Sequence, residues 1–336
     1  MGTMRGDEKM VRVLVTGASG FVGSAIARGC QEAGLEVRCT GRSDKLPQRL
    51  VNYSPADLLD ADALPSLVAG VEAIVHAAGL AHQFGQVNRA KGRFTAVNVC
   101  ATENIIRAAI RQGVQHIVLV SSVSVYGPHT ATICKEEHLC RPQEPYGQSK
   151  YEAEQRSVEL AKGSGRNLTI LRLATVYGEE DPGNVARLIR VIDRGRFAWV
   201  GTGTNLKSLI HRDDVARACI TVLRQPPAGV NVFNLSGPTC PMRQIVDTLA
   251  AALDRKLPRW HVPASLALGL TRLAGALGGK NSFLLRPYAA LRKWLAQDAY
   301  DSAKFNQMFA FQTQIALADG LRREVMWYRS LTQERR

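Results

Sequence analysis

The sequence predicts an α/β chain: a doubly wound parallel sheet, followed by a smaller and mainly helical C-terminal lobe. Three observations predict it. Short β-branched runs alternate with amphipathic helical segments through the first half of the chain. The first strand runs into a glycine-punctuated turn that opens a helix. Beyond Gly178 the alternation weakens and helical patterns dominate.

The elements follow in order. "VRVLVTG" (11–17) is the first strand, and "FVGSAIARGCQEAG" (21–34) has helical spacing and a glycine stop. "LEVRCTG" (35–41), "VEAIVHAAG" (71–79) and "VQHIVLVSS" (114–122) are further strands. Between the last two, "FTAVNVCATENIIRAAIRQG" (94–113) places its apolar residues on one helix face. "YGQSKYEAEQRSVELAKGSG" (146–165) is a helix, and "NLTILRLATVYG" (167–178) another strand. Parallel strands joined by helices imply right-handed crossovers. Then come a loop and helix (179–195), a strand end and helix (205–223), and a strand in "GVNVFNLSG" (229–237). Residues 1–178 are therefore read as the sheet domain, with 207–236 returning to it, and 179–336 as the second lobe.

Composition narrows the function. The 336 residues are 46% hydrophobic and 21% charged, the balance of a soluble globular chain that can bury a sizeable core. The net charge of +14 favours anionic partners such as phosphorylated small molecules. Without zinc-finger spacing or an aromatic-basic ribonucleoprotein signature, nucleic acid is not an expected partner. Seven cysteines, odd in number and with no CxxC, read as free thiols in a reducing, cytoplasmic compartment. "MGTMRGDEKM" has no apolar signal core. The greasy stretch 262–279 carries Arg272 and falls short of the roughly 20 apolar residues of a span, so it reads as an amphipathic or buried helix. No spacing suggests a metal site. His76 and His116 sit on apolar strands and read as core. His211 stands beside Asp213 and Asp214, one of which is expected to cap the following helix.

"TGASGFVG" (16–23) spaces Gly17, Gly20 and Gly23 between a strand and a helix. That context suits a dinucleotide pyrophosphate. Gly17 takes the turn, Gly20 admits close approach, and Gly23 lets the helix pack, while the helix N-terminus offers N–H groups. The fold is accordingly of Rossmann type. An NAD site wants a carboxylate at the end of the second strand. Here Thr40 and Gly41 precede Arg42, a partner for a 2′-phosphate, which favours NADP over NAD. "PYGQSK" sets Tyr146 four residues before Lys150, on one helix face. Such a pair is either an ordinary surface pair or a base with a depressed phenol pKa.

Further motifs decide between those readings. They are "VTGASGFVG", "ADLLD", "IVHAAG", "VNVCATEN", "SSVSVYG", "YGQSK", "LRLATVYG", "GNVARLI" and "KSLIHRDDVARA". With them the chain resembles an extended short-chain dehydrogenase/reductase of the nucleotide-sugar epimerase/dehydratase group over nearly its whole length. The resemblance implies a catalytic set of Ser122, Tyr146 and Lys150. It places the dinucleotide on Gly17, Ser19, Gly20, Phe21, Val22 and Gly23, with Asp57 and Leu58 at the adenine. Ala77, Ala78, Gly79 and Asn98 would line its path. Ser124, Asn184, Lys207 and Arg292 (or Arg286) would meet the substrate. Dehydratases of the group carry Asp-Glu where this chain has Val123 and Ser124, so water elimination is not expected. What remains is epimerisation of a UDP-sugar at C4, with surface-polysaccharide synthesis as its setting, or NADPH-dependent reduction of a 4-keto sugar. A 3β-hydroxysteroid-type dehydrogenase and a non-catalytic dinucleotide-binding regulator are further alternatives. The group's habit also implies a homodimer.

Overall fold

Alternation within the first strand sets the sheet. In β1 (Arg12–Thr16), Val13 and Val15 join one buried cluster with Ala27 and Val37. Leu14 joins the opposite one with Ile74 and Ile105. A strand buried on both faces needs helices on both faces, which is the doubly wound arrangement. The computed structural model describes residues 11–44, 50–81, 87–128, 133–277 and 291–333.

β2 (Glu36–Gly41) and β4 (Ala73–His76) pair in parallel with the two sides of β1. Beyond β4 lie β5 (His116–Ser122), β6 (Asn167–Leu173) and β11 (Val230–Leu235). The other edge is β3 (Tyr53–Pro55), giving the seven-stranded order β11-β6-β5-β4-β1-β2-β3. The order reverses between β1 and β4, and an open α/β sheet forms its ligand crevice at the carboxyl ends of such strands. One face carries α1 (Phe21–Glu32), packed against α7 (Arg212–Arg224). The other carries α4 (Ala101–Arg111) and α5 (Pro145–Ser164).

Several details depart from the sequence reading. β3 is too short, and ends in a proline, to leave an alternating pattern. The helix expected over 94–113 starts earlier, as α3 (Val87–Phe94), and passes through a π-helical turn at Thr95–Cys100 before α4. The strand expected over 167–178 is two. β6 ends at Leu173, and β7 (Thr175–Tyr177) leaves the sheet to pair with β10 (Leu209–His211). The cap of α7 is a correction. It is not an aspartate: His211 Nδ1 accepts the Asp213 N–H at 3.2 Å. Asp213 is drawn instead to Arg323, at 2.8 Å. Asp214 accepts the N–H groups of Gln314 and Ile315.

The second lobe gathers α6 (Asn184–Asp193), α8 (Met242–Ala252) and the terminal helix Leu317–Gln333 around Trp199, Ile189, Leu249 and Leu321. Short pairs complete it: β8 (Trp199–Val200) with β13 (His261–Val262), and β9 (Leu206–Lys207) with β12 (Cys240–Pro241). The terminal helix also closes on the sheet domain. Arg323 holds Glu179 at 2.7 Å. Glu324, fully buried, accepts the Gly178 N–H at 3.0 Å through Oε2, while its Oε1 has no partner. Burial first, and then nearby Asp181, push the Glu324 carboxyl up to about 9.

This carboxyl makes stability fall with pH. An acid whose folded pKa is raised binds its proton more tightly when folded, so its contribution is present below the unfolded value and is lost as pH rises to about 9. In chemical denaturation, the wild type is expected to lose stability relative to Glu324→Gln across that window, by up to about 1.4 kcal/mol per pH unit. Parallel pH profiles for the two proteins would contradict this.

Candidate active site

Helix α5 presents one functional face. Pro145 starts it without wasting a helix hydrogen bond. Tyr146, Lys150 and Glu154 follow at intervals of one turn. Glu154 fixes which way that face points. It is buried, accepts Ser121 Oγ of β5 at 2.5 Å, and pairs with Arg172 of β6 at 2.7 Å. Ser121 and Arg172 are register partners on adjacent strands. Arg172 reaches on to the Tyr126 hydroxyl at 3.0 Å, and that hydroxyl donates to Asn234 Oδ1 of β11 at 2.7 Å. One helix and three strands are thus joined by buried polar bonds. Removing one partner of such a buried pair typically costs about 3–5 kcal/mol.

With α5 held this way, Tyr146 meets Ser122 at the carboxyl end of β5. Burial raises the Tyr146 phenol above its ordinary value, and a hydrogen bond from Ser122 works against that rise. Ser122 Oγ also accepts the Ser124 N–H at 3.2 Å, capping a short 3₁₀ turn at Val123–Tyr126. Lys150 is buried and donates to the Val120 carbonyl at 2.7 Å. Burial brings its ammonium down to about 8, with Glu154 opposing the shift. The spacing of Tyr146 from Lys150 does not by itself lower the phenol. Desolvation sets the direction, and the Ser122 hydrogen bond only opposes it.

Asn98 lies in the π-helical turn. It accepts the Leu80 N–H at 2.7 Å and donates to the Leu80 carbonyl and to Ser149 Oγ. Ser149 in turn donates to the Tyr146 carbonyl at 2.8 Å, so the turn locks the first turn of α5 to the loop after β4. His76 is buried between Thr16 Oγ1 at 2.8 Å and Thr102 Oγ1 at 2.9 Å. Burial, and then the Lys150 charge, push it down to about 3, so it is a neutral core residue.

The residues present fit a dinucleotide. Gly17 has φ +70°, and a Cβ there would stand 2.6 Å from the Ala78 backbone. A Cβ on Gly23 would collide with the Gly17 carbonyl. The turn can therefore lie flat against the end of β4 only without side chains. No side chain caps α1, whose first turn holds no acid, which leaves its N–H groups for a pyrophosphate. Ser19 and Gly20 are exposed there, Phe21 and Val22 half-buried. Ala77, Ala78 and exposed Gly79 continue the crevice, and a Cβ on Gly79 would lie 3.2 Å from Asn98 Oδ1 and 3.6 Å from Lys150 Nζ. Arg42 is exposed just past β2. Asp57 is exposed, turns its Oδ1 to the Leu59 N–H at 3.0 Å, and precedes buried Leu58.

The expected substrate residues are less uniformly placed. Ser124 sits within the cluster, and Asn184 is exposed at the start of α6. Lys207 is buried and spends its ammonium on Asp298 at 2.6 Å and on the carbonyls of Lys293 and Ala296. Its three donors are used inside the lobe, so the diphosphate role expected for it has no free donor here. Arg292 is exposed, and Arg286 lies outside the described residues. Sequence reading missed Glu154, Arg172, Tyr126 and Asn234. The spacing of Glu154 from Lys150 was visible, but Arg172 becomes its partner only when β6 lies beside β5.

A glycine cradle at the switch point, with a Ser-Tyr-Lys cluster beyond it, defines an NAD(P)-dependent enzyme of the extended short-chain dehydrogenase/reductase type. The chain belongs to the NAD-dependent epimerase/dehydratase family, whose model matches residues 13–236. It is 30% identical over 333 residues to the N-acetyl-alpha-D-glucosaminyl-diphospho-ditrans,octacis-undecaprenol 4-epimerase of Escherichia coli O157:H7, covering 94% of each chain. It is 30% identical over 288 residues to the UDP-glucose 4-epimerase of Vibrio cholerae, covering 84% of this chain and 87% of the relative. Among solved structures, MoeE5 in complex with UDP-glucose and NAD superposes with a TM-score of 0.74 at 25% identity, covering 96% of this chain and 99% of MoeE5.

Tyr146→Phe removes one hydroxyl and leaves the ring beside Phe94, whose centroid is 6.0 Å away. The variant is expected to keep its thermal midpoint and dinucleotide binding but to lose at least about 100-fold in turnover, the scale of a positioned acid–base group. Near-normal turnover would remove Tyr146 from the chemistry.

Proposed function

We propose that the chain is an NAD(P)-dependent epimerase that inverts C4 of a sugar carried on a diphosphate, with UDP as the carrier. The observation that carries this reading is the Ser122–Tyr146–Lys150 cluster, followed by Val123 and Ser124 where a dehydratase would need acids. Tyr146 takes the proton of the C4 hydroxyl. Ser122, hydrogen-bonded to that phenol, orients the same oxygen. Lys150 supplies positive charge that would work, together with that of a bound oxidised dinucleotide, against the burial that raises the phenol, so that Tyr146 can act as phenolate. When bound, the dinucleotide supplies the acceptor and donor of hydride. Tyr146 returns its proton once the keto sugar has turned over its other face. The net charge of +14 suits a diphosphate substrate. In the second lobe a cavity of about 540 Å³ opens between the loop 201–205, His261–Ala264 and Leu295. Arg243 hydrogen-bonds two of its lining residues, Thr202 and His261, and is the cation we assign to the substrate's carrier.

A second reading, reduction of a 4-keto sugar by NADPH, is supported by the end of β2. A Cβ on Gly41 would come within 2.5 Å of Ser19 Oγ, so a carboxylate at Gly41 would displace the Ser19 side chain of the pyrophosphate turn. Arg42 follows, exposed. On this basis we take the phosphorylated dinucleotide as preferred.

Two measurements test these proposals. A UDP-sugar converted to its C4 epimer without net change at 340 nm supports epimerisation. Steady NADPH consumption with a 4-keto sugar, and no epimer interconversion, replaces it with the reductase. In titrations, the wild type is expected to bind NADPH more tightly than NADH, and Arg42→Ala to lose about tenfold or more for NADPH alone, a charge-assisted contact's worth. Tighter NADH binding by the wild type would refute the preference.

A further inference from the structure

We propose that α9 (Ala264–Leu277) seats the second lobe on an anionic lipid bilayer, lying in the membrane interface rather than crossing it. Leu266, Leu270 and Leu273 recur at i, i+4 and i+7, so they share one helix face. All three are exposed, at 54%, 58% and 60%. Trp260, just before the helix, is 60% exposed as well. Large apolar side chains exposed together on one face of a helix call for a partner.

Charge identifies the partner. From Arg255 to Gln297 the sequence contains no Asp or Glu, yet Lys and Arg recur throughout. Lys256, Arg259, Arg272, Arg292 and Lys293 are exposed. Leucines on one face of a helix, a flanking tryptophan and unrelieved positive charge match an anionic lipid interface. A second copy of the chain would bring the same acid-free segment against itself across a two-fold axis, so charge disfavours that occupant. No helix among the described residues is long and apolar enough to cross a membrane, which leaves the interface. The segment leading into α9 also reaches the cavity of the second lobe, which Val262, Pro263 and Ala264 line. Docking would bring that cavity close to the lipid surface. The inference does not depend on the reaction proposed above.

The test is co-sedimentation of the full chain with phosphatidylcholine vesicles, with and without phosphatidylglycerol. Wild type is expected to pellet with the anionic vesicles, and less so as salt is raised. The triple variant Leu266→Ser/Leu270→Ser/Leu273→Ser changes only exposed side chains and should fold. It is expected to lose at least about tenfold in partitioning, the contribution of one buried leucine or more. Lys256→Gln/Arg259→Gln/Arg272→Gln should weaken binding to anionic vesicles in the same way. Failure of wild type to bind, or undiminished binding by the leucine variant, overturns the proposal. So does a wild-type dimer in solution that the leucine variant converts to monomer without any vesicle binding, which would make the face a subunit contact.

Discussion

The Glu154–Arg172 ion pair is the contact on which the site depends. The buried face of α5 is small and polar, with Gly147, Ser149, Ala153, Ser157 and Ala161, so apolar burial does little to fix its rotation, and a rotation would carry Tyr146 away from Ser122. The buried pair removes that freedom. Glu154 accepts from Ser121 and Arg172, which are register partners on β5 and β6, and Arg172 continues through Tyr126 to Asn234 on β11. Lys150 adds its own bond to the Val120 carbonyl. At the opposite side, Asn98 and Ser149 fasten the first turn of α5 to the loop after β4. Buried polar groups joined this completely specify one arrangement, because any other leaves charges without partners in a low-dielectric interior.

Burial explains why the pair of residues most visible in the sequence behaves unlike its simplest reading. Tyr146 and Lys150 are a phenol and an ammonium one turn apart, and in water the cation would favour the phenolate. In the folded protein, burial raises the phenol and lowers the ammonium to about 8. Both groups are therefore biased toward their neutral forms before any ligand arrives. Ser122 is the one group that works against the phenol's rise. An anionic substrate and a bound dinucleotide would enter a site where each added charge acts at short range and with little screening.

The outline of the fold was legible in the sequence, because sheet strands buried on both faces leave continuous apolar runs and the crossover helices leave one-sided ones. The glycine turn was legible for a steric reason: Gly17 and Gly23 stand where a Cβ would strike backbone. Other features were not. β7 leaves the sheet for β10 with no change in composition, and β3 is three residues long. The π-helical turn that aims Asn98 has the same apolar spacing as the α-helix around it. Lys207 was read as a substrate cation because its neighbours resemble such a site, but Asp298, which occupies its ammonium, is distant in sequence. His211 was overlooked as a cap because aspartates beside it are the commoner choice, and Arg323, which draws Asp213 away, comes from the terminal helix. The failures at Lys207 and His211 both concern a partner supplied by tertiary structure.

The central claim, that the Glu154–Arg172 pair holds the Tyr146–Lys150 face in working position and sustains the charge on Lys150, is tested most directly by Glu154→Gln. The amide keeps the shape and removes the negative charge that opposes the fall of the Lys150 pKa. The account predicts a folded protein, confirmed by unchanged near-ultraviolet circular dichroism. It also predicts kcat lowered at least about tenfold, less than the roughly hundredfold or more that loss of a positioned acid–base group costs. The alkaline limb of its pH profile should move to lower pH, since Lys150 then loses its proton more readily. A folded Glu154→Gln with wild-type kcat and an unmoved alkaline limb would contradict it.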